Sequence, residues 1–151
     1  MPYVLNASAA GQCVGRATKI AEELRAGPAA EHGRILFGTL NVCAGDRTTS
    51  VPLEGNEDDK NCLHCVVVVS PGGSPKASEL IVCDPTYDPL AMKDPLGRLV
   101  SMKRYIQAYL ELLDTEQVKP DVVFVNLRKR DNEGIIPCDV PLFFTPGGDP
   151  C

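Results

Sequence analysis

Residues 62–70 read Cys-Leu-His-Cys-Val-Val-Val-Val-Ser, and the unbroken valines Val66 to Val69 decide what this stretch is. β-Branched side chains favour extended backbone. A strand with one wet face would alternate apolar and polar residues, and this one does not. The stretch therefore reads as a strand buried on both faces, at a central place in a sheet. Pro71-Gly72-Gly73-Ser74 reads as a turn, and Glu79 to Cys83 as the antiparallel neighbour it delivers. Such a hairpin sets His64 opposite the region of Val82 to Asp84.

Upstream, Val14, Ala17, Ile20, Ala21 and Leu24 follow the three-four spacing of a buried helical face. This predicts a helix from about Cys13 to Arg25, stopped by Gly27-Pro28. Arg34 to Val42 reads as a strand. Ala44 to Asn61 is then a long polar connection carrying the acidic run Glu57-Asp58-Asp59. A connection of that length in a small domain is a candidate substrate-contacting flap, the more so because it leads into His64.

Downstream, Asp84 to Asp94 holds a series of Asp-Pro steps and reads as a rigid loop. Asp94-Pro95 is a good N-cap and first helical residue, predicting a helix to about Leu113. Leu99, Tyr105, Ile106, Tyr109, Leu110 and Leu113 form its inner stripe. Asp121 to Leu127 reads as another buried strand. From Arg128 the chain is rich in Pro and Gly and reads as irregular. The order gives a single α+β domain over residues 1–151, built around an antiparallel sheet.

Composition narrows the function classes. Hydrophobic residues make up 44% of the chain and charged ones 23%, the proportions of a globular protein rather than a disordered one. A formal net charge of -5 leaves no basic surplus for a nucleic-acid backbone. No apolar run reaches the length of a membrane span. Seven cysteines is an odd number, which argues against a disulfide framework. The opening Met-Pro-Tyr-Val-Leu-Asn lacks the pattern of a secretory signal. The expected setting is cytoplasmic, or that of a delivered effector domain without its own signal.

Cys13, His64 and Asp84 each stand where catalysis would use them. A thiol attacks as thiolate, and the unpaired N–H groups at a helix start favour an anion. Cys13 opens the first helix, His64 opens a strand and Asp84 closes the next. A nucleophile, its base and the base's orienter are assembled in this way. The backbone N–H of Cys13 is a first oxyanion donor, with the side chain of Gln12 or of Asn6 as candidates for the second.

Gly11-Gln12-Cys13, His64-Cys65-Val66-Val67 and Val82-Cys83-Asp84-Pro85-Thr86-Tyr87 together resemble the transglutaminase-like branch of the papain-like cysteine enzymes. The resemblance covers roughly the first 90 residues. It implies a papain-like or transglutaminase-like core, with an N-terminal catalytic helix packed on an antiparallel sheet. It implies acyl transfer from amides of a protein or peptide substrate, by proteolysis, glutamine deamidation or transamidation, without a cofactor. Cys13-Val14-Gly15-Arg16 is similar to the Cys-x-x-Arg helix start of peptidases that process ribosomal peptides. The aromatic positions that family members often carry beside the Cys and two residues after the His are Val14 and Val66 here.

Two other readings compete. Cys62-x-x-Cys65 has zinc-ligand spacing, which would make a zinc-stabilised binding module. In a strand, however, Cys62 and His64 would share one face and Cys65 the other. The other rival is a non-catalytic interaction protein on the same fold. Cys43, Cys83 and Cys138 are assigned to packing, since an unpaired cysteine is commonly a small buried hydrophobe.

Overall fold

The computed structural model describes residues 3–5, 13–31, 33–43, 64–71, 76–112, 122–131 and 134–151. Helix α1 spans Cys13–Ala26. It is followed by strands β1 (Arg34–Cys43), β2 (His64–Ser70), β3 (Ile81–Cys83) and β4 (Val100–Ser101). Helix α2 (Met102–Leu112) and strands β5 (Val122–Asp131) and β6 (Gly134–Phe144) complete the order. The strands form one antiparallel sheet in the order β4-β3-β2-β1-β5-β6. This is an α+β fold with helices packed against an antiparallel sheet.

Every residue of β2 is buried, as its valine run requires of a central strand. Alternation along the strand splits the core in two. Val66 and Val68 face α2, together with Leu36, Leu40, Val82, Val123, Val125 and Leu127. Cys65, Val67 and Val69 face α1, together with Ile35, Phe37 and Cys83. Helix α1 presents Ala17, Ile20, Ala21 and Leu24 to that second layer, four of the five positions its periodicity indicated. Helix α2 covers the other face with Met102, Tyr105, Ile106 and Tyr109, joined by Tyr3 and Leu5 of the N-terminal segment.

Three expectations are corrected. The second helix begins at Met102, not at Asp94. Asp94 Oδ1 accepts from the Gly97 N–H at 3.1 Å, but Pro95 stands at the N-cap and only the single turn Leu96–Arg98 follows. Val100 and Ser101 then pair with Val82 and Ile81, so the sheet claims the residues a longer helix would need. Ser101 Oγ accepts from the Arg104 N–H at 3.2 Å and starts α2.

Secondly, Arg128–Asp131 and Gly134–Phe144 are strand rather than irregular, and among the described residues only the tail after Phe144 is turn and coil. Strand β5 continues to Asp131, and β6 pairs along it despite Pro137 and Pro141. An edge strand tolerates proline, because one row of its backbone groups needs no partner. Thirdly, β2 and β3 pair Val67 with Cys83 and Val68 with Val82. Continued by one residue, this ladder sets Asp84 beside Val66, not His64. The connection contains the turn Ala77–Glu79, so its centre lies beyond Gly72-Gly73.

Candidate active site

His64 is the first residue of β2 and lies on the α2 face, with the same parity as Val66 and Val68. Its side chain is 1% exposed. The ring stacks on Tyr87 at 4.4 Å between centroids and on Tyr109 of α2 at 5.5 Å. Its Nε2 lies 2.8 Å from Asp84 Oδ2. Asp84 reaches it along the diagonal of the hairpin, a span that long side chains bridge.

Asp84 is fully buried and leaves β3 in a turn that saturates its carboxylate. Oδ1 accepts the backbone N–H groups of Thr86 and Tyr87, each at 2.9 Å. Oδ2 accepts the Tyr105 hydroxyl at 2.7 Å besides the His64 ring. The Asp-Pro-Thr-Tyr stretch makes this possible, since Asp side chains readily bond the backbone two residues on and proline pre-sets the turn. The Asp88 N–H closes it on the Asp84 carbonyl at 3.0 Å. Asp88 itself is clamped by Arg98 Nε at 2.7 Å, and the Arg98 guanidinium lies over the Tyr3 ring.

A carboxylate only accepts hydrogen bonds, so Nε2 of His64 carries the proton in this pair. In the neutral ring Nδ1 is then the basic nitrogen, the atom that would serve a nucleophile. Burial, reinforced by the Asp84 charge, holds the Tyr105 hydroxyl well above the usual tyrosine range, so it stays a donor. The Tyr3 hydroxyl is raised by burial first and then by Asp84 and Asp88.

Cys13 is half-buried at the start of α1, whose first turn holds no acidic residue. It packs against the layer containing Cys65, Val67 and Cys83. Helix α1 lies along β2, and its far end is tied to β1 by Arg25 Nη2, which donates to the Ile35 carbonyl at 3.1 Å. Ile35 pairs with Val69, near the end of β2. Fourteen helical residues span roughly 21 Å, about the length of β2, so Cys13 lies toward the end at which His64 begins. The thiol and the imidazole therefore belong to the same end of the sheet and to opposite layers. The site as it stands is a buried His–Asp pair with buried cysteines close by.

Cys83 behaves as the packing residue the sequence indicated. It is buried, and burial reinforced by Asp84 pushes its thiol up to about 12. Gln12 and Asn6, the connection 44–61, Cys62 and the side chains of Cys43 and Cys138 lie outside the described residues. Among the described residues no group of three or more His, Cys, Asp or Glu side chains is placed to hold a metal ion. Cys65 and His64 face opposite layers, as the strand alternation required. No described helix is long and apolar enough to cross a membrane.

Sequence reasoning missed the tyrosines around the pair. Tyr105 and Tyr109 were legible as part of the α2 stripe, four residues apart and so on one face. Their signal was a polar-tipped aromatic at a fully buried position, which calls for a hydrogen-bond partner. No protein-family model matches the chain, and no curated protein or solved structure is significantly similar to it.

Proposed function

We propose that the protein catalyses cysteine-dependent acyl transfer from amides, with Cys13 as nucleophile, His64 as base and Asp84 as its orienter. The observation that carries the reading is the 2.8 Å contact of His64 Nε2 with a fully buried, hydrogen-bonded Asp84. It fixes the ring and leaves Nδ1 as the basic atom, which is the task of the third member of a triad. The reading requires the Cys13 thiol to meet Nδ1 past the start of β2, because the two side chains belong to opposite layers.

In this scheme His64 takes the thiol proton and the Cys13 sulfur attacks the amide carbon. The C–N bond breaks as His64 returns the proton to the leaving nitrogen, and a thioester remains. Water, deprotonated by His64, attacks the thioester and releases the acid and the Cys13 thiol. A glutamine side chain gives ammonia and a peptide bond gives an amine. Proteins or peptides are the proposed substrates, and the setting is cytoplasmic or that of a delivered effector domain.

A second reading is favoured by the 1% exposure of His64 between two tyrosines. In it, the cluster is structural and ties β2, the Asp84 turn and α2 together, on an interaction protein. Alkylation with iodoacetamide at mildly acidic pH, with each cysteine mapped by mass spectrometry, separates the two. Catalysis requires fast, selective labelling of Cys13 that slows at least about tenfold in His64→Ala. Uniformly slow labelling, or labelling indifferent to His64, establishes the structural reading instead.

A further inference from the structure

The Asp84 carboxylate takes four hydrogen bonds, and one donor, the Tyr105 hydroxyl, shares an oxygen with His64. We propose that Tyr105 is a positioning residue of the site, acting through Asp84 to limit how tightly the His64 ring holds its second proton. This deepens the catalytic reading above and rests on it for the use made of Nδ1.

Tyr105 is fully buried on α2, and Asp84 Oδ2 is the hydrogen-bond partner of its hydroxyl among the described residues. The chain has four tyrosines. Tyr87 and Tyr109 stack on the His64 ring, and the Tyr3 hydroxyl is buried without a hydrogen-bond partner. Tyr105 is the one whose hydroxyl donates to Asp84. That bond is not needed to aim the carboxylate. The Thr86 and Tyr87 N–H groups already hold Oδ1 at 2.9 Å each, and they belong to the turn itself.

What Tyr105 adds is a second donor on Oδ2. It draws off part of the negative charge that would otherwise stabilise a protonated His64. The mechanism needs this restraint, because a base that holds its proton too tightly does not return it to a leaving nitrogen. The titratable groups that the described residues bring around the ring are Asp84 and Tyr87 from the turn after β3, Tyr105 and Tyr109 from α2, and Tyr3 from the N-terminal segment. The Asp88–Arg98 pair lies beyond Tyr3, and β1 sets the apolar Leu40 opposite His64. Among these groups Asp84 brings a charge to the ring, and Tyr105 is the donor that moderates it.

The test compares full-length wild type, Tyr105→Phe and a protein carrying a ring-fluorinated tyrosine at position 105. Nuclear magnetic resonance of isotopically labelled histidine reads each one, with His32→Gln separating the two histidines. Phenylalanine keeps the stacking on Tyr109 at 5.8 Å and removes the donor. The His64 Nε2–H proton should then move downfield, the mark of a stronger bond to Asp84, and the ring should hold its second proton about tenfold more tightly. Fluorination makes the hydroxyl a stronger donor, which burial keeps protonated, so both signals should move the opposite way. The fluorinated protein keeps the shape of the site and decides the matter should Tyr105→Phe not fold. A purely structural role predicts no such opposed displacement. Signals unmoved in the fluorinated protein, or displaced against these directions in either one, overturn the inference. If they move as expected while wild-type Cys13 shows no selective alkylation, the catalytic reading falls and the control of His64 by Tyr105 stands.

Discussion

The Tyr105 hydroxyl donates a 2.7 Å hydrogen bond to Asp84 Oδ2, the oxygen that also meets His64 Nε2. Helix α2 is thereby fastened to the turn after β3 at a point with no solvent access. Tyr105→Phe removes this donor from a buried carboxylate, a loss of about 1.5–3 kcal/mol. Urea unfolding should show a lower midpoint at unchanged slope. An unchanged midpoint would mean the bond contributes nothing net.

Asp84→Asn should be more damaging to turnover than to folding. The amide can still accept the Thr86 and Tyr87 N–H groups through its oxygen. It then offers His64 an NH₂, which favours the wrong ring tautomer. In a triad the corresponding change lowers turnover on the order of 10⁴-fold. Single-turnover assays on a protein that remains folded by circular dichroism would measure this. Full activity in the variant would remove Asp84 from the mechanism.

Alkaline pH should unfold the protein through its buried acids. Cys83 titrates near 9.0 when exposed and is pushed up to about 12 in the fold by burial first and then by Asp84. Tyr105 and Tyr3 are raised in the same direction. Between pH 9 and 12 the unfolded chain therefore binds fewer protons than the native one, and stability falls as pH rises. Below pH 9 this contribution is fully present. Thermal midpoints should decline from about pH 9 upward, and less steeply in Cys83→Ala than in wild type.

Gly38 sits where β1 is flanked by β2 and β5, on the α2 face. A Cβ there would lie 2.9 Å from Val68 Cγ2 and 3.4 Å from Val66 and Val125. Gly38→Val therefore overpacks this layer and should cost about 1–3 kcal/mol despite valine's preference for strands. Calorimetry would give the value, and a stabilised variant would show that the three valines can give way.

Much of this fold was legible because it rests on local patterns. The Val66–Val69 run marked a central strand, since only burial on both faces permits four consecutive valines. The three-four spacing from Ala17 to Leu24 marked α1, and the Asp-Pro-Thr turn marked the end of β3. Local signals failed where a distant partner decided the outcome. Asp94-Pro95 leads only into the single turn Leu96–Arg98, because β3 draws Val100 and Ser101 into the sheet and delays α2. Gly134–Phe144 becomes a strand only because the edge of β5 is there to pair with it.

The same division runs through the candidate site. Sequence by itself determined the chemistry on offer: a thiol at a helix start, an imidazole at a strand start and a carboxylate in a proline-set turn. Those properties depend on residue type and near neighbours. Only the tertiary structure decided that His64 and Asp84 meet, that Tyr105 shares the carboxylate, and that Cys13 packs in the opposite layer. These depend on strand register, on which helix covers which face, and on the alternation that sends His64 and Cys65 to different sides of one sheet.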